Sequence, residues 1–308
     1  MGIFVHEILV YNSEQSEYGT LSANYFSDNI KIKGFYQQPI SPDPESMVVI
    51  NIPWDIIQTT YIELPPVKNY SEMKKIAELE IRRLMDLNEE INLSCIPTVY
   101  GKTLVLFVRK SDYDRYKMSR NISFEPDVAY PNILSELLVT KKFPGYWMYL
   151  VLGRMSSGIV VMNNNSIINV RILDFSMEDI SKIVKEETGF ELFEIERSEN
   201  EELTKAAKRI VDSISIDVLS QIERELIIAT NTTEIEKIDI QMISGIVVVC
   251  DFKIMRDIIL GFEGNFRGKF SEPVLLFPTK DKNKIGLADL GLIYRGGIEI
   301  GKVKSIKW

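Results

Sequence analysis

Short apolar runs, bounded by polar or breaker residues, dominate the start of the chain. Residues 3–11, 20–26 and 30–37 have the alternation or near-continuous apolarity of strands, with the polar stretch 12–19 between the first two. Pro39, Pro42 and Pro44 mark residues 38–44 as a loop, and the apolar run 47–52 predicts a fourth strand stopped by Pro53. Residues 58–64 alternate and end at Pro65 and Pro66. A helix is then predicted from the capping pair Asn69 and Glu72, with Met73, Ile76, Ala77, Ile81 and Leu84 at helical spacing. Two strands, 91–100 and 103–109, flank a turn at Gly101-Lys102, and 111–120 reads as a short helix.

The second half restarts the opening pattern. Residues 147–152, 158–162 and 167–173 predict a three-stranded meander with tight turns at 153–157 and 163–165. A helix follows, capped by Ser176 with Asp179 and ended by Gly189. Ser198 and Glu201 suggest a second capping box. It opens a helix about 40 Å long with Leu203, Ala207, Ile210, Ile214, Val218, Ile222 and Leu226 as its apolar stripe. Strands at 246–250 and 274–277 and helices at 252–260 and 284–292 complete an α/β order.

Composition narrows the function. The 308 residues are 45% hydrophobic and 26% charged, which is ordinary for a globular protein. Against 44 acidic residues stand 36 basic ones, a net charge of −8, so nucleic acid is not expected as a partner. A single histidine, His6, excludes any site that needs two imidazoles. Two cysteines, Cys95 and Cys250, cannot form a disulfide framework and read as small core residues. No basic leader opens the chain and no apolar run is long enough to span a bilayer, so a cytoplasmic location is expected.

Several segments together resemble a known family. They are the run Met47 to Pro53 (MVVINIP), the run Tyr61 to Pro65 (YIELP), the acidic helix Ala77 to Arg83 (AELEIRR), and the strand and turn Tyr149 to Val161 with Val170 and Arg171 beyond it. The helix end Gln221 to Leu226 (QIEREL) and the closing Lys284 to Leu292 (KIGLADLGL) complete the set. In this order they resemble PilM and the cytoplasmic part of GspL, the actin-like assembly proteins of type IV pilus and type II secretion machines. The resemblance implies an actin/Hsp70-like ATPase fold of two RNase H-like halves, residues 1–140 and 141–283, with a closing helix and tail at 284–308. It also implies a strand-helix-strand-strand insert at 57–120, as in the FtsA branch.

The same resemblance implies a scaffold on the cytoplasmic face of the inner membrane. Its partners would be the cytoplasmic peptide of an inner-membrane pilus or secretion protein and the assembly ATPase, with homo-oligomers also open. ATP-binding members of the fold cradle phosphates in two Gly-rich turns. Here the first turn, 11–20, holds a single glycine and the acids Glu14 and Glu17. The second keeps Gly153, Arg154, Ser156 and Ser157, a remnant phosphate turn, but Val151 stands where the family's metal-positioning acid would fall. No Gly pair follows the late strand, where Ser244-Gly245 or Cys250-Asp251-Phe252 stand instead. The expectation is a degenerate nucleotide site, no bound cofactor and no enzyme activity. The alternatives are a nucleotide-binding ATPase, with ATP as cofactor, and an FtsA-like filament-former.

Other residues read as structural. Asp127 and Asp251 are candidates for paired carboxylates but read as isolated strand-end acids. The run 194–202 reads as a solvated loop and helix start, and Glu78, Glu80, Arg82 and Arg83 as a solvated helix face. The tail, with Lys302, Lys304, Lys307 and Trp308, resembles the cytoplasmic flank of a membrane span, or is a short basic tail that attaches weakly to anionic lipid.

Overall fold

The computed structural model describes residues 7–12, 20–26, 29–36, 46–65, 69–198, 200–231, 235, 237–266, 268–276 and 286–299. His6, the first turn with Glu14 and Glu17, the loop 38–44 and the basic tail from 300 onward lie outside them.

The first sheet is built from β1 (Glu7–Tyr11), β2 (Thr20–Phe26), β3 (Asn29–Tyr36), β4 (Ser46–Ile52) and β8 (Val128–Pro131). Its strand order is β3-β2-β1-β4-β8, with the first three antiparallel and β4 and β8 running parallel to β1. The second sheet repeats it with β9 (Tyr146–Leu152), β10 (Ser157–Asn163), β11 (Ser166–Leu173), β12 (Ile243–Cys250) and β13 (Phe270–Ser271), in the order β11-β10-β9-β12-β13. The directions repeat as well. Two copies of one order, three strands of meander and then two parallel strands, make the actin-like architecture of two RNase H-like halves.

Between β4 and β8 stands the insert: β5 (Gln58–Glu63), α1 (Tyr70–Met85), β6 (Ile91–Pro97), β7 (Lys102–Arg109) and α2 (Lys110–Ser119). Its sheet has the order β5-β7-β6. Asn69 caps α1 as the sequence indicates, its side chain accepting from Glu72 N at 2.8 Å. Strand alternation sorts the insert's core. Val105 and Phe107 face α1 with Ala77 and Ile81, while Leu104, Leu106 and Val108 join the main core.

Helix α3 (Asn132–Leu138) follows β8, and α8 (Leu287–Glu299) closes the described chain. The two cross tightly: a methyl on Gly291 would stand 1.8 Å from Ser135 O, so only glycine fits there. Around this crossing one apolar core takes in both halves. It holds Ile8, Val49 and Ile50 from the first sheet and Tyr149, Val151, Val160, Val247 and Val249 from the second. The alternate residues of the second sheet, Met148, Leu150, Ile159, Val161, Ile246 and Val248, face the outer helices. These are α4 (Met177–Thr188), α5 (Leu192–Arg197), α6 (Glu201–Asn231) and α7 (Lys253–Leu260). Burial on both faces explains why β9 and β12 are continuous apolar runs instead of alternating ones.

Several elements differ from the sequence expectations. The strand β8, the helices α3 and α5, and the two-residue β13 are absent from the apolar pattern. Each is too short to show a period, and α3 is buried all round. The run expected as a strand at 274–277 forms only an isolated bridge, Leu275 with Thr140, while Phe270–Ser271 supplies the fifth strand; Phe277 lies outside the described residues. Helix α6 is capped by Asn200, which accepts from Glu202 N and Leu203 N, and not by Ser198, which ends α5. Its buried seam runs through Ala207, Val211, Ser215, Leu219, Ile222 and Leu226. Leu203, Ile210, Ile214 and Val218 flank it as partly buried residues. Ser176 and Asp179 form the capping box expected for α4. The closing helix runs on through Gly296 and Gly297, both buried, so these two residues are not part of the tail.

Candidate functional site

The exits of the parallel strands in both halves converge on the head of α8. Asn12, one residue past β1, donates from Nδ2 to Asp289 Oδ1 at 2.8 Å. Asn51 of β4 donates to Asn12 Oδ1 at 2.8 Å. From the other half, Asp251, one residue past β12, accepts Leu287 N at 2.8 Å on Oδ2. Asp289 turns back to accept Gly286 N at 3.4 Å. Two carboxylates therefore satisfy the orphan N–H groups at the start of α8, where the helix dipole favours negative charge. Asn12, Asn51 and Asp289 are buried, and Asp251 is exposed. Although the residue keeps a solvent-exposed side, the protein packed around its carboxyl desolvates it and pushes it up to about 6; the Asp289 charge adds to this, and the Leu287 N–H, Arg256 and Arg197 oppose it.

The remnant phosphate turn packs against α3 and α4. A methyl on Gly153 would lie 2.6 Å from Ser156 O and 3.0 Å from Glu136 Oε1, so the turn backs directly onto the buried Glu136 of α3. The turn is also tied to α4, because Gly153 O accepts Met177 N at 3.1 Å and Arg154 O accepts Glu178 N at 2.8 Å. The Arg154 guanidinium is paired with Glu191 at 2.9 Å and lies 5.7 Å from the centre of the Phe193 ring. Its charge is thus already matched. Ser156 is half-buried; Ser157 is fully buried, and its Oγ has no hydrogen-bond partner among the described residues. Val151 points into the shared core. Across the turn, Arg120 Nη2 approaches Met155 Sδ at 3.1 Å. Among the described residues, no group of three His, Cys, Asp or Glu side chains could hold a metal ion.

The structure separates the two aspartates considered as a pair. Asp127 stands at the entry of β8, where its carboxylate accepts Val48 N at 2.8 Å, whereas Asp251 stands at the exit of β12 in the other sheet. The acidic run at 194–202 is more than a solvated loop. Glu196 accepts Lys253 N at 3.0 Å and Ile254 N at 2.7 Å and so caps α7. Cys95 and Cys250 are both buried, and burial raises their thiols, Cys95 to about 11, which makes them inert core residues. Glu78 with Arg82 and Glu80 with Arg83 are exposed or half-exposed ion pairs on α1. Asn12, Asn51, Glu136 and Asp289 were not singled out from the sequence. Their signal is a polar residue inside or at the end of an otherwise apolar run.

No protein-family model and no curated protein matches the chain. Among solved structures it is similar to a PilM–PilN type IV pilus biogenesis complex. The TM-score is 0.64 at 14% identity, over 96% of this chain and 99% of the other. It also matches the cytoplasmic domain of EpsL, an inner-membrane component of the Vibrio cholerae type II secretion system, with a TM-score of 0.35, 11% identity and coverage of 58% and 74%. A Bacteroides thetaiotaomicron protein of actin-like ATPase fold matches with a TM-score of 0.33, 14% identity and coverage of 61% and 79%. No helix of the described residues is long and apolar enough to cross a membrane. The doubled sheet order and the end-to-end similarity to the PilM–PilN structure establish an actin-like fold for this chain.

Proposed function

We propose that the protein is a non-enzymatic scaffold of a type IV pilus or type II secretion platform. It holds the cytoplasmic tail of an inner-membrane partner, and the assembly ATPase with it, at the inner face of the membrane. The observation that carries this reading is the end-to-end similarity to the PilM–PilN complex, insert included. The site supports it. A phosphate at the second turn would meet the Glu136 carboxylate behind Gly153, while Arg154 is already paired with Glu191. The nucleotide site on this reading is degenerate, with Gly153, Arg154, Ser156 and Ser157 as its remnant.

The test is a pull-down from membranes of the source organism, scored for pilus and secretion components; their absence overturns the scaffold. A second assay addresses the alternative of a nucleotide-binding ATPase. With Mg-ATP, phosphate release stays below the roughly 10⁻² s⁻¹ of a slow NTPase. Faster release that a Gly153→Val substitution abolishes would establish the ATPase instead.

A further inference from the structure

The end of the insert meets the second half through a sulfur atom. Arg120 follows α2, and its backbone is held in place there. Its N–H bonds Tyr116 O at 3.1 Å, its carbonyl accepts the Tyr11 hydroxyl at 3.4 Å, and Ile122 N bonds Lys117 O at 2.9 Å. The turn that carries Met155 is held as well, by Met177 N and Glu178 N of α4. Between these two anchored segments, Arg120 Nη2 donates to Met155 Sδ at 3.1 Å. Both residues are half-buried. Among the described residues the Arg120 guanidinium has no ion pair and no oxygen acceptor.

A partly desolvated cation is therefore weakly served. A guanidinium carries five N–H donors, and a thioether sulfur is a poor acceptor. Taking such a donor out of water costs free energy unless a good acceptor replaces the water. The sulfur can become that acceptor. Hydrogen peroxide oxidises a thioether by two electrons: an S–O bond forms, the peroxide O–O bond breaks, and the other oxygen leaves as water with both hydrogens. The sulfoxide is polar where the thioether was not. Methionine has three rotatable side-chain bonds, so the new oxygen turns toward Nη2 while the turn itself stays in place.

We propose that Met155 is an oxidative modification site, and that its sulfoxide accepts a charge-assisted hydrogen bond from Arg120 that fastens the insert to the second half. Oxidation of a methionine ordinarily loosens the packing around it. Here it adds a bond, because a donor without an oxygen partner already stands beside the sulfur. Hydrogen bonds to a charged group are about twice as strong as neutral ones. The change is reversible. Two thiols reduce the sulfoxide to the thioether, giving one disulfide and water, with a separate reductase for each sulfoxide epimer.

The test treats the whole protein with hydrogen peroxide and locates sulfoxides by peptide mass mapping. Amide hydrogen exchange is then followed at Ile122, Met177 and Glu178, whose N–H groups hold the two anchored segments. Met85, Met118 and Met242 are exposed and oxidise in every sample, so Met155→Leu reports their effect alone. Wild type is expected to gain an oxygen at Met155 and to exchange roughly tenfold more slowly at these amides. Treatment should leave exchange unaltered in Met155→Leu and in Arg120→Leu, and the two reductases should return wild type to its starting rate. Met155→Gln supplies an acceptor oxygen without any oxidant. It should slow exchange by itself and not when combined with Arg120→Leu. Circular dichroism verifies that each variant folds, and Met155→Leu with Met155→Gln decides the case if Arg120→Leu does not. The proposal is overturned if no sulfoxide forms at Met155 in the folded protein. Exchange that is unchanged or faster once it forms, or equal slowing in Arg120→Leu, overturns it too.

Discussion

Asp251 has an environment opposed to its charge. Its carboxyl is raised to about 6 by the surrounding protein and by Asp289, so the folded state holds the proton to higher pH than the unfolded chain, where an aspartate titrates near ~3.9. The stabilising contribution of the protonated group is therefore complete below the unfolded value and is lost as pH rises through about 6. Asp251→Asn removes the charge and keeps an oxygen for the Leu287 N–H. The variant should show a higher urea midpoint than wild type above pH 7, with the gap closing as pH falls toward 4. A gap that does not change with pH would show that Asp251 is ionised in the native state at no cost. Solvent access to Asp251 keeps the effect small. The same residue shows how far sequence reading reaches. Its place after an apolar strand is legible, but its partner is not, because Asp289 lies 38 residues further on (289 minus 251) and arrives only when α8 returns between the halves.

Helix starts divide into those the sequence announces and those it does not. Ser176 and Asp179 cap α4 within one local motif, and Ser176→Ala should lower stability by about 1 kcal/mol. Glu196 caps α7 from 57 residues away, and its carboxylate serves two main-chain donors at once. Glu196→Ala leaves both without this acceptor and should cost about 1–3 kcal/mol, read from chemical denaturation. Glu196→Gln should recover part of the loss, since one amide oxygen remains to accept. Equal losses for Ala and Gln would mean that the side chain matters for packing and not as a cap. Where a cap is local, neighbouring residues contain all the information. Where it crosses between elements, an acidic run in the sequence looks like any solvated run.

For the whole molecule, the main constraint is the crossing of α3 and α8. Ser135 O occupies the space where a side chain at Gly291 would be, and at Gly296 a methyl would meet the Ile8 and Val49 side chains at 2.8 and 3.0 Å. Gly291→Ala should force the helices apart and cost about 3 kcal/mol or more, as an overpacked site does, with the whole chain unfolding in one transition because the core is shared. Two separate transitions in calorimetry would show that the halves fold independently. The insert is packed into the same core. Leu104, Leu106, Val108 and Tyr116 lie in the common core, and Tyr116 donates to Asn51 O. Removing residues 57–120 would therefore uncover apolar surface of the common core.

The sequence alone determined most of the elements and their order. Apolar runs of strand length, local capping pairs and a meander that occurs twice are short-range features; the actin-like fold of two halves with an insert was what the family resemblance implied. The sequence also placed the Gly153–Ser157 turn and the substitution of Val151 for an acid. Tertiary structure decided the rest. It joined Asn12, Asn51, Asp289 and Asp251 around the head of α8, set Glu136 behind the turn, and matched Arg154 with Glu191. The reason is physical: periodicity reports which face of an element is buried, but not which distant element buries it. Polar partners are fixed by the packing of whole sheets and helices, which no local pattern encodes.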